Sequence, residues 1–270
     1  MSSHSSLSQN LIAARKERKA LADFPGTLPN GPAEAYAIQS ECIAGWSDTL
    51  VGWKVAGLKA ELHEEFKAKR QSGPVFKNNL FTNDGSQLTQ VPVFPEGSSA
   101  VEAEFVILLG DVAHLPTSNL TEQDVISVIE KVYIGVEIAG SSIHQVHSHG
   151  TLAGICDFGN NAGVIIGPEV ENWQEVGLSN INVNVKLDGE EVGSANAKPS
   201  LDGPLGALTY LFKHLAQRSH KVEKGMYVSS GAITGAHRAG AGANSEVSFK
   251  GIGTINLELV ANNQQYNSNQ

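Results

Sequence analysis

Glu102 and Glu104 stand one residue apart inside the apolar run Ala100-Val101-Glu102-Ala103-Glu104-Phe105-Val106-Ile107-Leu108-Leu109. The run is rich in Val, Ile, Leu and Phe and stops at Gly110-Asp111, which predicts a β-strand. Alternate residues of a strand share a face, about 7 Å apart, so both acids point the same way. Two anions on one face of an apolar strand lose hydration and repel each other. A divalent cation is the simplest group that neutralises them. The bland alternative is the solvated face of a half-exposed sheet, with Val101, Ala103 and Phe105 turned inward.

A third acid, Glu137, lies in another apolar strand pattern, Gly135-Val136-Glu137-Ile138-Ala139. Three carboxylates on two strands would offer an all-oxygen site suited to Mg2+ or Mn2+, with positions left for water or substrate. A +2 ion against three anions leaves one negative charge, and Lys54 in Gly52-Trp53-Lys54-Val55 is the cation that would balance it. A lowered pKa would also let Lys54 shuttle protons. Taken singly, Glu137 reads as a surface acid or salt-bridge partner, and Lys54 as a surface lysine. His144, His147 and His149 form a rival cluster with zinc-binding chemistry. Their stretch has no firm helix or strand pattern and no cysteine nearby, so a polar loop is the preferred reading. No phosphate-binding glycine loop is followed by Lys-Ser or Lys-Thr, and no Gly-x-Ser-x-Gly elbow is present.

These residues need a scaffold. With 270 residues, 41% hydrophobic content and 28 glycines, the chain reads as an ordered, turn-rich globular protein. A formal net charge of −9 and the absence of a Lys/Arg stripe argue against a nucleic-acid binder. Cys42 and Cys156 are too few and too far apart for a disulfide framework or zinc motif. With no apolar leader and no membrane-length segment, the expectation is a cytoplasmic protein.

Helices are expected over 11–23, ended by Phe24-Pro25-Gly26, over 33–47, over 120–132 with Thr121 as N-cap, and over 204–217. Strands are expected over 49–57, 133–138, 226–229 and 245–260, with a hairpin over 183–192 turning at Asp188-Gly189. The outline is an α+β chain: a helical N-terminal part over 1–90, a β-rich catalytic part over 91–262, and a disordered tail over 263–270.

The order of short motifs resembles the 2-keto-4-pentenoate hydratase and 2-oxo-3-hexenedioate decarboxylase family of the fumarylacetoacetate hydrolase superfamily. The landmarks are Ala35-Tyr36-Ala37-Ile38-Gln39, Val51-Gly52-Trp53-Lys54-Val55, Val101-Glu102-Ala103-Glu104-Phe105, Gly135-Val136-Glu137-Ile138, Asp157 to Gly167, Gly203-Pro204-Leu205-Gly206-Ala207-Leu208 and Ser229-Ser230-Gly231. The resemblance implies a β-dominated mixed-sheet, barrel-like fold with a small helical N-terminal part. It implies Mg2+ or Mn2+ on Glu102, Glu104 and Glu137, with Lys54 at the active site. Asp157 and Asn160 become further catalytic candidates, and Lys54, Ser230 and Gly231 substrate-binding ones.

The implied activity is hydration of 2-hydroxypenta-2,4-dienoate through a stabilised enolate, by a homo-oligomer acting on small 2-oxo acids. Decarboxylation of 2-oxo-3-hexenedioate is the alternative, with Lys59 or Lys77 as the cation for the second carboxylate. C–C bond hydrolysis and a catalytically silent binding protein are further options. The chain departs from the family pattern at Asn78-Asn79, Ser142, Gly159 to Gly163 and Met226.

Overall fold

A computed structural model describes residues 3–116, 119–197 and 202–261. In chain order the elements are α1 (Ser3–Glu17), α2 (Pro32–Gly45), β1 (Leu50–Gly57), α3 (His63–Phe66), β2 (Arg70–Phe76), β3 (Leu80–Thr82), β4 (Leu88–Val93), β5 (Ser98–Leu109) and α4 (Glu122–Ser127). Then follow β6 (Ile129–Ser141), α5 (Thr151–Cys156), β7 (Asn161–Glu169), α6 (Trp173–Val176), β8 (Asn182–Leu187), β9 (Glu190–Asn196) and α7 (Gly203–Gln217). The chain closes with β10 (Tyr227–Ser229), β11 (His237–Arg238), β12 (Asn244–Phe249) and β13 (Gly253–Ala261).

The larger sheet runs β2-β1-β10-β5-β6-β7-β3, with β11 pairing onto β5. The smaller runs β4-β13-β12-β8-β9. Alternation along the strands sorts the larger sheet into two faces. Trp53, Val55, Val101, Ala103, Phe105, Ile134, Val136 and Ile138 turn outward and pack against Val183, Val185, Val247, Ile255 and Leu257 of the smaller sheet. Val75, Val106, Val164 and Ile166 form a separate cluster on the opposite, inner face. Period-2 register places Lys54, Glu104 and Glu137 on this inner face too. Both faces are therefore buried, which is why β5 reads as a nearly continuous apolar run.

Helices α1, α2 and α5 form a third cluster with Phe76 and Phe158. The strands before residue 90 pair with those after it: β1 joins β10, β3 joins β7, and β4 lies beside β13. Close approach fixes one glycine: a Cβ on Gly52 would lie 2.1 Å from the Tyr227 carbonyl oxygen, so only glycine lets β1 and β10 meet there.

Two expected boundaries are corrected. The first helix spans Ser3–Glu17 rather than 11–23. Its buried stripe, Leu7, Leu11, Ala14 and Arg15, begins within the serine-rich stretch, and Arg18 ends it with a left-handed φ of 54°. The helix expected over 120–132 is only Glu122–Ser127, opened by a Thr121–Asp124 capping box. Ile129 and Val132 belong to β6, paired with Leu109 and Ile107 of β5. Long-range pairing of β-branched residues outweighs the local helical stripe. The hairpin at Asp188-Gly189 and the helix near 204–217 are present as expected. The tail expected over 263–270 lies outside the described residues.

Candidate active site

Glu102 faces Glu137 directly across the β5–β6 ladder, and Glu104 faces Gly135. Glu104 and Glu137 are completely buried and Glu102 is 9% exposed, so the solvated-face reading does not hold. One carboxylate oxygen from each of the three acids lies within 4.8 Å of the others, and among the described residues this is the group of three or more ligating side chains that converges. The Ser229 hydroxyl donates to Glu104 Oε2, and the Gly231 amide donates to the same oxygen at 2.9 Å. Asn161 Nδ2 donates to Glu137 Oε1 at 3.0 Å, and Lys54 Nζ lies 3.3 Å from that oxygen.

The remaining oxygens test the fit of a metal ion. Glu104 Oε1 and Glu137 Oε2 are buried with no hydrogen-bond partner. A buried carboxylate oxygen left bare is costly, and two of them in an all-oxygen cluster fit a hard divalent cation. Electrostatics agree. Burial, then the field of Glu137, pushes the Glu102 carboxyl up to about 7. Burial and the fields of Glu137 and Glu102 push Glu104 well above the usual carboxylate range. Burial alone would lower Lys54, but the fields of Glu137, Glu102 and Glu104 outweigh it and raise the ammonium. Lys54 is thus a firmly protonated cation, the opposite of the lowered value expected for proton shuttling; the three anions around it decide the sign.

A cavity of about 340 Å3 opens at the triad, lined by Lys54, Glu102, Asn160, Ser230 and Gly231. These expected site residues therefore converge. Ser230 directs its hydroxyl to the Phe105 carbonyl oxygen at 2.9 Å, so both it and Gly231 build the wall with their donors. Asn160 has a left-handed φ of 61°, and its amide oxygen is buried without a partner.

Asp157 is not brought to the cavity. Its carboxylate is held by the Arg15 guanidinium, by the Ser141 hydroxyl at 2.5 Å and by the Ser142 amide at 3.2 Å. Arg15 also donates to the Asn161, Gly140 and Asp157 carbonyls. The pair thus clamps the turn through Phe158, Gly159 and Asn160, three consecutive left-handed residues, which carries Asn160 into the cavity. Arg15→Ala leaves Asp157 buried and unpaired and should destabilise the fold by about 3–5 kcal/mol. The measurement is the urea midpoint at unchanged m; a shift worth under about 1 kcal/mol would remove the clamp.

The histidines do not converge. His144 bonds the Glu96 carbonyl through Nδ1 at 2.7 Å, His149 lies 3.5 Å from Asp23, and only His147 reaches the cavity. Lys59 and Lys77, expected as second cations, do not line it. Lys59 is exposed, and Lys77 lines a separate cleft with Asn78 and Asn79. Arg70 and Gln71 do line it, and sequence reasoning passed over both. They sit at the end of the charged stretch Lys67-Ala68-Lys69-Arg70, which looks like a solvated loop. The overlooked signal was strand alternation running back from Gly73-Pro74-Val75: Gln71 pairs with Ala56 and so shares a face with Lys54.

No family model matches the chain. It is 24% identical to a 2-keto-4-pentenoate hydratase of Paraburkholderia xenovorans over 258 residues, 94% of each protein. It is 25% identical to a 4-oxalocrotonate decarboxylase of Pseudomonas putida over 165 residues, 59% of this chain and 60% of that relative. The structure of 4-oxalocrotonate decarboxylase from Pseudomonas putida G7, complexed with magnesium and adipate, superposes with a TM-score of 0.77 at 20% identity, covering 95% of this chain and 97% of that one. Among the described residues no helix is long and apolar enough to cross a membrane. Along its length the chain is similar in sequence to 2-keto-4-pentenoate hydratases, and it shares the fold of 4-oxalocrotonate decarboxylase.

Proposed function

We propose that the protein is a metal-dependent lyase that passes short 2-oxo or 2-hydroxydienoic acids through an enolate, with hydration of 2-hydroxypenta-2,4-dienoate as the leading reaction. The observation that carries this reading is the buried triad of Glu102, Glu104 and Glu137, with two unpartnered oxygens beside one protonated lysine. A divalent cation held by the triad supplies Lewis acidity against the negative charge that develops on the substrate's 2-oxygen.

The chain's own groups do the rest. Lys54, held as an ammonium on the cavity wall beside Glu137, balances the charge of the triad and orients the substrate carboxylate. The Asn160 carboxamide, with its bare oxygen, accepts from the water that adds to the conjugated enone. Ser229 and Gly231 fix the orientation of Glu104, and Asn161 fixes that of Glu137, as supporting bonds do around metal ligands. Asp157 and Arg15 act on the reaction only by holding the turn that presents Asn160. Decarboxylation of 2-oxo-3-hexenedioate is the second reading: loss of CO2 leaves the same electron pair on the same oxygen, and Arg70 offers a cation for a second carboxylate. The reading includes a homo-oligomeric, cytoplasmic enzyme, and the acidic balance of the chain supports the absence of nucleic-acid partners.

Its test is turnover of 2-hydroxypenta-2,4-dienoate and 2-oxo-3-hexenedioate, followed by dienoate absorbance and by CO2 release, before and after chelation. Turnover should vanish with chelator and return with Mg2+ or Mn2+. Turnover that survives chelation overturns the mechanism. Metal and 2-oxo acid binding without turnover on either substrate would make the protein a silent binder.

A further inference from the structure

Adding water to an enone moves protons, and a group that moves them must reach the substrate and change its charge near neutral pH. Among the described side chains that line the cavity, one meets both conditions once the triad is committed to a cation: His147. Lys54 is a firmly protonated ammonium. A guanidinium keeps its proton, and Gln71, Asn160 and Ser230 are neutral groups that do not titrate.

The place of His147 is built by the chain around it. Residues Val146–His149 form a single tight turn. Val146 is only 2% exposed and packs into the cluster of helices α1, α2 and α5. Its amide donates to Ser98 Oγ, at the start of β5, at 3.2 Å. The Gly150 amide closes the turn on the His147 carbonyl at 3.3 Å. Left-handed backbone at Gln145, with φ 46°, and at Gly150, with φ 84°, bends the chain on either side. His147 thereby comes to line the cavity with Lys54, Glu102 and Asn160.

The same ring lines a neighbouring groove with Glu96, Ser98, Gln145 and Arg238. It therefore stands exposed at the mouth, between substrate and bulk water, where a proton taken from one side can be exchanged on the other. Among the described residues no group hydrogen-bonds either ring nitrogen, so a lone pair is free. Burial, then the positive fields of Arg238, Lys54 and Lys59, lowers the imidazolium below its ordinary value. The resting ring is neutral and able to accept.

We propose that His147 is the proton carrier of the cavity, taking a proton from the water that adds at C4 and returning it to C3. As the water oxygen bonds to C4, the C3–C4 π pair moves to C2–C3 and the carbonyl pair to the 2-oxygen. The ring takes one water proton while the Asn160 amide oxygen accepts the other. The imidazolium then protonates C3 as the 2-oxygen pair returns to the carbonyl. The sum is H and OH added across C3=C4, with His147 regenerated. The role rests on the enolate reading of the cavity.

Run on a saturated 2-oxo acid, the same base removes and returns a C3 proton, so the experiment is hydrogen–deuterium exchange at C3 of 2-oxopentanoate. The Mg2+-loaded protein is placed in D2O and the exchange followed by proton NMR. The parent should exchange the C3 protons, and His147→Ala should do so at least about a hundredfold more slowly, the lower range for loss of a general base. Mg2+ and 2-oxopentanoate affinities, measured by calorimetry, should stay within about threefold of the parent, and added imidazole should restore part of the exchange to His147→Ala. A parent that does not exchange C3, undiminished exchange in His147→Ala, or a loss matched by loss of 2-oxopentanoate binding each overturn the role. Exchange needs no dienoate. A parent that exchanges C3 but turns over neither dienoate nor enedioate therefore sinks the lyase reading alone, and dienoate turnover that persists undiminished in His147→Ala sinks this role alone.

Discussion

Glu104→Gln abolishes divalent-metal binding and turnover together, while the metal-free protein becomes at least as stable as the parent. The two effects have one cause. Three carboxyl groups within 4.8 Å share the single Lys54 ammonium as counter-charge in a buried site. On the enolate-lyase reading Glu104 would be a metal ligand, and a neutral amide in its place should lower turnover by ~10³-fold, the upper range for loss of one transition-state-stabilising group. Without metal, burial and the neighbouring acids favour the protonated form of Glu104, which costs stability near neutral pH, and a neutral amide removes that cost. Metal titration by calorimetry and thermal unfolding with and without chelator separate the two. Parent protein should gain about 2.7 kcal/mol at metal a hundredfold above Kd, and the variant nothing.

The pH dependence follows with a definite sign. Glu102 and Glu104 have folded-state values raised above the ordinary carboxylate range, by burial first and by their neighbours second. The metal-free fold therefore binds more protons than the unfolded chain. Its stability from these groups is complete below the unfolded value near 4.5 and is lost as pH rises through about 7 for Glu102. Metal affinity should climb through the same window, with protons released on binding. A metal-free protein that gains stability between about pH 5 and 8, with no proton release on metal binding, would contradict this account.

Lys54→Met is expected to separate the metal site from the chemistry. The ammonium lies 3.3 Å from Glu137 Oε1 and is 2% exposed. Removing it leaves Glu137 buried without its cation and should destabilise the metal-free fold by about 3–5 kcal/mol. Metal should recover much of that loss and bind no more weakly than to the parent, because the net charge of the triad becomes more negative. Turnover should still fall by about 10²-fold, the cost of losing a group that orients the substrate. Parallel losses of metal affinity and activity would instead reduce Lys54 to a support for the triad.

Part of this site is legible in the residues alone. Two acids at alternate positions of an apolar strand are an electrostatic contradiction, and Glu137 in a like setting repeats it. Period-2 alternation and the cost of a buried charge are local physics, so residue types and spacing are enough to name the three converging acids and Lys54. The same holds for the Asp188-Gly189 hairpin and the Thr121 cap. Where a long-range partner competes with a local pattern, the local pattern misleads. Ile129 and Val132 complete a helical stripe, yet the ladder with β5 claims them for β6.

The sequence by itself therefore determined the chemistry that the inner face of β5 and β6 must accommodate: anions in an apolar setting demand a cation. Only the tertiary structure decided which residues share the cavity with them. Arg15, from the first helix, claims the carboxylate of Asp157, which does not line the cavity. Arg70, hidden in a charged stretch, lies in the wall that Lys59 and Lys77 never reach. A side chain's cost of burial is written in its own chemistry. Its partner is set by where strands and helices far apart in the chain come to rest, and no spacing along the chain records that.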